Sequence, residues 1–161
     1  MTGARANDDA HQGKVALITG GGRGFGQAFG TALAARGAHV VLADIDGDAA
    51  AKAAAEITAN GGRASAAACD VADEDGVAAM IDEVTAEHGV IDILVNNAGL
   101  HSAAYNKPSA EIGVAVMGQQ ILDRAGEERD IVEALLFLVS PAASFVTGET
   151  LRVTGGFALS V

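Results

Sequence analysis

The chain alternates short apolar runs with longer stretches whose apolar residues recur every three or four positions. Val15, Ala16, Leu17 and Ile18 form the first run, and Phe25, Ala28, Phe29, Ala32 and Leu33 follow at helical spacing. The run reads as a buried strand and the spacing as an amphipathic helix. Val40, Val41, Leu42 and Ala43 make a second strand, which Asp44 ends. Residues 46 to 60 are alanine-rich and read as a helix, with Asp46 placed to cap it and Gly61 and Gly62 to stop it. Residues 63 to 69 read as a weak strand ending at Asp70 and Val71. Asp73 can cap a helix with an apolar face of Val77, Met80, Ile81 and Val84, stopped by Gly89. Residues 91 to 95 are a strong strand, followed by Asn96, Asn97, Ala98 and Gly99. The order βαβαβαβ predicts an α/β fold, a Rossmann-like doubly wound parallel sheet whose ligands sit at the strand C-termini.

The connection after the first strand carries the candidate chemistry. Thr19, Gly20, Gly21, Gly22, Arg23, Gly24, Phe25 and Gly26 run from strand to helix through a glycine turn. Such a turn lets backbone approach a pyrophosphate and aims a helix N-terminus at its charge. Asp44, about 20 positions beyond the glycines, is placed to bond the hydroxyls of an adenosine ribose. A carboxylate there repels the extra phosphate of NADP, so NAD is the expected cofactor. The Arg23 guanidinium beside the turn could pair with that phosphate and keeps NADP as the alternative.

Composition narrows the class. A chain of 161 residues, half of them hydrophobic, can bury a core of one domain. The net charge of −11 argues against nucleic acid and anionic membrane surfaces as partners. A single cysteine, Cys69, excludes an intrachain disulfide and suits a reducing, cytoplasmic setting. No apolar run approaches transmembrane length. Residues 1 to 12 are polar and read as a disordered tail, leaving residues 13 to 161 as one dinucleotide-binding domain. No metal site is expected.

In its sequence of landmarks the chain resembles the short-chain dehydrogenase/reductase family: Thr19, Gly20, Gly24 and Gly26, then Asp44, then Asp70 and Val71, then Asn96, Asn97, Ala98 and Gly99. The resemblance implies an NAD-dependent oxidoreductase. It implies that Thr19, Gly20, Arg23, Gly24, Phe25 and Gly26 surround the pyrophosphate, and that Asp44 and Ile45 lie at the adenosine ribose. Asp70 and Val71 would border the adenine, and Asn97, Ala98 and Gly99 would line the cofactor bed beyond the fourth strand. Residues 126 to 139 resemble the family's last long helix, and residues 145 to 156 its last strand and terminal turn.

The middle departs from the family. Its members carry a catalytic Ser and a Tyr-x-x-x-Lys on a long helix, and this sequence has neither. The only tyrosine, Tyr105, is followed by Lys107 two positions on and by Pro108. Four apart puts two side chains on one helix face, and two apart does not. Ser102, Tyr105 and Lys107 therefore read as a loop, and no catalytic residue is assigned. Of the four histidines, His101, just past Gly99, is the best placed for chemistry; His39 opens a strand and His88 closes a helix. The chain reads as a family member with its interior removed near residues 107 to 112, which implies little or no turnover. The alternatives are a catalytically silent module for NAD or an ADP-ribose-like ligand, and an unstable deletion product. The last strand, residues 150 to 154, is expected to move inward beside the fourth, giving about five strands in the order 3-2-1-4-5. The expected assembly is a monomer, or a homodimer through the last helix and strand.

Overall fold

The computed structural model describes residues 10–99 and 120–157. Four strands, β1 (Val15–Thr19), β2 (His39–Asp44), β3 (Arg63–Ala68) and β4 (Ile93–Val95), form one parallel sheet in the order β3-β2-β1-β4. β1 is buried at every position and β2 at all but its first. Such continuous burial is what a central parallel strand covered on both faces requires. Helices α1 (Gly24–Ala34), α2 (Gly47–Ala59) and α3 (Glu74–His88) are the crossovers, and α4 (Glu128–Leu138) lies in the second described stretch.

The strands' alternation divides the core in two. Ile18, Val40 and Leu42 face Phe29 and Leu33 of α1, Ile57 of α2 and Leu136 of α4. Leu17, Val41 and Ala43 face the other way, toward Met80 and Val84 of α3. Glycine lets α1 lie close to the sheet: a methyl group on Gly30 would come within 2.8 Å of Leu42 Cδ2. The sheet with helices on both faces is the Rossmann-like arrangement that the alternating pattern implies.

Three details differ from the sequence reading. β4 begins at Ile93 rather than residue 91, because Asp92 is used otherwise. Its carboxylate accepts from Lys14 Nζ at 2.6 Å and from the Val15 N–H at 3.0 Å, pinning the start of β4 to β1. The Lys14 ammonium and the Val15 N–H hold that carboxyl below its ordinary range. The fold also begins before Gly13. His11 is only 3% exposed, and its N–H donates to Arg36 O at 3.0 Å.

The third difference concerns the expected fifth strand. Residues 150–154 do not join the sheet, and among the described residues β4 pairs only with β1. The end of the chain bonds elsewhere. Gln120 Nε2 donates to Thr154 O, and the Ile121 and Leu122 N–H groups share Gly155 O. That local closure competes with pairing at β4. The junction expected near residues 107 to 112, and with it Ser102, Tyr105, Lys107 and His101, lies outside the described residues.

His39 and His88 meet on the α3 side of the sheet. Their rings lie 4.0 Å apart between centroids, tilted by 32°, and Ser65 Oγ lies 3.2 Å from His39 Nε2 and 3.3 Å from His88 Nε2. Burial first, then the neighbouring His88 and Arg63, push the His39 pKa down; Glu87 opposes weakly. A folded pKa below the ordinary 6.5 means that the unfolded chain binds more protons in that window. Stability from His39 is therefore present above about pH 6.5 and lost as pH falls through the folded value. His11, depressed by burial and by Arg36, acts in the same direction. Thermal unfolding followed from pH 7 to 5 should show a falling Tm, and His39→Gln should flatten that slope. Parallel slopes for the two proteins would contradict this account.

Candidate dinucleotide site

Parallel pairing brings the sequence landmarks to one edge. In register, Thr19 sits beside Ala43, Asp44 beside Ala68, and Ile18 beside Val95. The glycine turn, Asp44, the segment from Asp70 and the segment from Asn96 therefore all leave from the same end of the sheet. His39 opens β2 at the opposite end.

The glycine turn is fixed by its neighbours rather than by its own side chains. The Gly21 N–H donates to Ala43 O, and the Gly22 N–H donates to Asp44 Oδ2 at 2.9 Å. Asp44 is 9% exposed, and its other oxygen accepts from the Asp46 N–H at 3.0 Å. One carboxylate thus braces the turn and the start of α2 together. Asp46 caps α2 by accepting from the Ala49 N–H at 3.1 Å. The capping role falls to Asp46, as the sequence suggested, while Asp44 braces the turn. Ile45 between them projects outward, 73% exposed.

Thr19 and Asn97 form a clamp that the sequence did not reveal. Thr19 Oγ1 accepts from the backbone N–H groups of Asn97 and Ala98, each at 3.0 Å. Asn97 Nδ2 donates to Thr19 O at 3.0 Å and Gly20 O at 3.1 Å. The exit of β4 is thereby tied to the first half of the glycine turn. Gly20 needs its glycine: φ is +63°, and a Cβ would stand 3.0 Å from Ala98 Cα. Gly26 presses against Gly20 O so closely that no methyl group fits between them.

The start of α1 has the features that an anion needs. Arg23, its N-cap residue, makes no side-chain capping bond, and the first turn holds no acidic residue. The first N–H groups of a helix have no partner within it, and they carry partial positive charge. Gly24, at φ +55°, has no atom within 4 Å of where a Cβ would lie, so the cradle is open there. Phe25 is half exposed beside it. These residues fit a pyrophosphate. The Arg23 guanidinium instead reaches sideways to Asp46 Oδ2 at 2.7 Å.

The edge beyond β3 is polar and exposed. Asp70 Oδ1 accepts from the Ala72 N–H at 2.9 Å, and Val71 stands half exposed next to it. The neighbouring Cys69 is buried. Burial, then Asp70 and Asp73, push its thiol pKa up, so it is no thiolate nucleophile. Asn97 is partly buried, and Ala98 and Gly99 are exposed at the end of the described stretch.

Known proteins share this frame. A family profile described as short chain dehydrogenase matches residues 14–121, and one described as Enoyl-(Acyl carrier protein) reductase matches residues 103–158. The chain is 42% identical over 102 residues to D-threitol dehydrogenase of Mycolicibacterium smegmatis, a match covering 63% of this chain and 38% of that protein. It is 36% identical over 146 residues to the probable oxidoreductase EphD of Mycobacterium tuberculosis, covering 89% of this chain and 22% of that protein. The matches thus span well under half the length of these curated relatives. A crystal structure of hydroxysteroid dehydrogenase from Escherichia coli superposes with a TM-score of 0.85 at 26% identity, covering 95% of this chain and 100% of that one. A 7 alpha-hydroxysteroid dehydrogenase complexed with NADH and 7-oxo glycochenodeoxycholic acid gives a TM-score of 0.84 at 25% identity, covering 96% and 98%. On the profile match over more than half of its length, together with the shared fold, this chain belongs to the short-chain dehydrogenase family.

Proposed function

We propose that the chain binds NAD through its adenosine half and carries out little or no oxidoreductase turnover. The observation that carries this reading is the uncapped α1 N-terminus opening beside the buried Asp44 carboxylate. The backbone of Gly20, Gly24, Phe25 and Gly26 would hold the pyrophosphate, with Thr19 fixing the turn. Asp44 and Ile45 would meet the adenosine ribose, and Asp70 and Val71 the adenine. Asn97, Ala98 and Gly99 would border the path toward the nicotinamide. The lone pairs left on Asp44 after its two backbone bonds suit ribose hydroxyls and repel a 2′-phosphate, which favours NAD over NADP. A structural neighbour complexed with NADH supports the cofactor class.

A bound nicotinamide supplies hydride chemistry, and the protein must supply its placement and a proton. The family's Tyr passes that proton, and its Lys lowers the Tyr pKa. This sequence has no Tyr-x-x-x-Lys. A positioned acid or base contributes about 10²–10⁴ in rate, so turnover of simple secondary alcohols should be near background. The same reading takes the chain as a cytoplasmic monomer, or a homodimer through α4 and residues 150–154. Among the described residues no helix is long and apolar enough to cross a membrane.

Calorimetry with NAD and ADP-ribose tests the reading. Gly20, Gly24, Gly26, Asp44, Asp70 and Val71 all serve the adenosine half, so the two ligands should bind within about threefold of each other, less than 1 kcal/mol. NAD binding much more tightly than ADP-ribose would overturn it, as would rapid NADH formation with a secondary alcohol.

A further inference from the structure

We propose that Asp46 is a positioning residue for cofactor choice: it holds Arg23 in an ion pair and so withholds the guanidinium from a ribose 2′-phosphate. The inference rests on the reading that the adenosine ribose lies at Asp44. Arg23 is the one charged side chain in the glycine turn. Taken alone, it would offer a 2′-phosphate a planar pair of donors.

Asp46 removes that offer. Arg23 Nη2 lies 2.7 Å from Asp46 Oδ2. The carboxylate cannot easily follow Arg23 elsewhere, because its Oδ1 accepts from the Ala49 N–H at 3.1 Å. Its own backbone is held in turn, the Asp46 N–H donating to Asp44 Oδ1. Asp44 also holds the Gly22 N–H, one residue before Arg23. The guanidinium is thus drawn to the cap of α2, at the edge of the Asp44 carboxylate. A 2′-phosphate arriving there meets two carboxylates and a cation whose charge is already matched. Asp44 repels the phosphate directly; Asp46 acts through Arg23.

The pair is partly exposed, so its effect on affinity is modest and salt-dependent. Asp46→Asn removes the charge and keeps an oxygen for the Ala49 N–H. In calorimetry at low salt, it should raise the affinity for 2′-phospho-ADP-ribose relative to ADP-ribose about fivefold. The gain should shrink at about 0.5 M salt, and it should vanish in the double variant Asp46→Asn with Arg23→Gln. Asp48→Asn deletes the same charge from an exposed site on α2, and should leave the ratio unchanged. ADP-ribose binding in every variant reports that the fold is intact. An unchanged ratio in Asp46→Asn would overturn the inference, as would a gain that persists without Arg23 or is matched by Asp48→Asn. Wild-type protein that binds neither ligand would instead overturn the ribose reading beneath it, and this inference with it.

Discussion

Gly26→Ala should lower Tm by roughly 6–12 °C and abolish measurable dinucleotide binding. The added methyl group would strike Gly20 O and come within 2.8 Å of Asn97 Nδ2. Neither neighbour can yield, since Gly20 O accepts from that same Asn97 amide. Relief requires α1 to move off the turn, at a cost of about 3 kcal/mol for overpacking of this kind. For a chain of this size each kcal/mol shifts Tm by about 2–4 °C. Gly24→Ala is the informative comparison. There is open space at Gly24, and only its φ of +55° opposes a side chain. Its penalty should be about 1 kcal/mol. Equal melting of the two variants would show that the close approach at Gly26 does not matter.

Asp44→Ala should act on stability and on ligand choice together. It leaves the Gly22 and Asp46 N–H groups without their acceptor at a site that water reaches poorly. Stranding buried donors costs about 1–3 kcal/mol each when no partner replaces the one removed. Affinity for NAD and NADP should both fall, and the proposed preference for NAD should narrow because the repelling charge is gone. Asp44→Asn separates the two effects, since the amide keeps the shape and one acceptor. It should melt closer to wild type than Asp44→Ala while losing the same discrimination. An Asp44→Ala protein with wild-type Tm and undiminished NAD affinity would contradict the brace and the ribose contact alike.

Much of the frame was legible because it is written in local patterns. β1 and β2 are unbroken apolar runs, and their burial on both faces is what such runs mean. α2 carries its capping Asp46 and its glycine stop beside it in sequence, and α3 its stop at Gly89, although Asp73 makes no side-chain capping bond at the start of α3. The glycine turn and Asp44 could be assigned because strand, turn and helix are contiguous. What could not be read depends on contacts between distant residues. The Asn97 bonds to Thr19 and Gly20 join residues 77 and 78 apart, and no spacing rule announces them. His39 and His88 read as unrelated ends of two elements, yet Ser65 lies between them. Residues 150–154 have the composition of a strand, but composition does not name a partner. Gly155 O was taken by Ile121 and Leu122, and the fifth strand did not form. Asp92 sits in an apolar run that suggested a longer β4, and its bond to Lys14 shortened that strand.

The Thr19–Asn97 clamp also sets when the binding site comes into being. β1, α1 and β2 are neighbours in sequence and can associate early, at little cost in loop closure. The turn they contain is not finished at that stage. Its carbonyl groups and the Thr19 hydroxyl wait for β4, which arrives only after β3 and α3 have been threaded past. On the proposed function, dinucleotide affinity is therefore a property of the closed sheet and not of the glycine-rich segment. A fragment ending before β4 should lack it, and during refolding the ability to bind should appear with the last strand to dock.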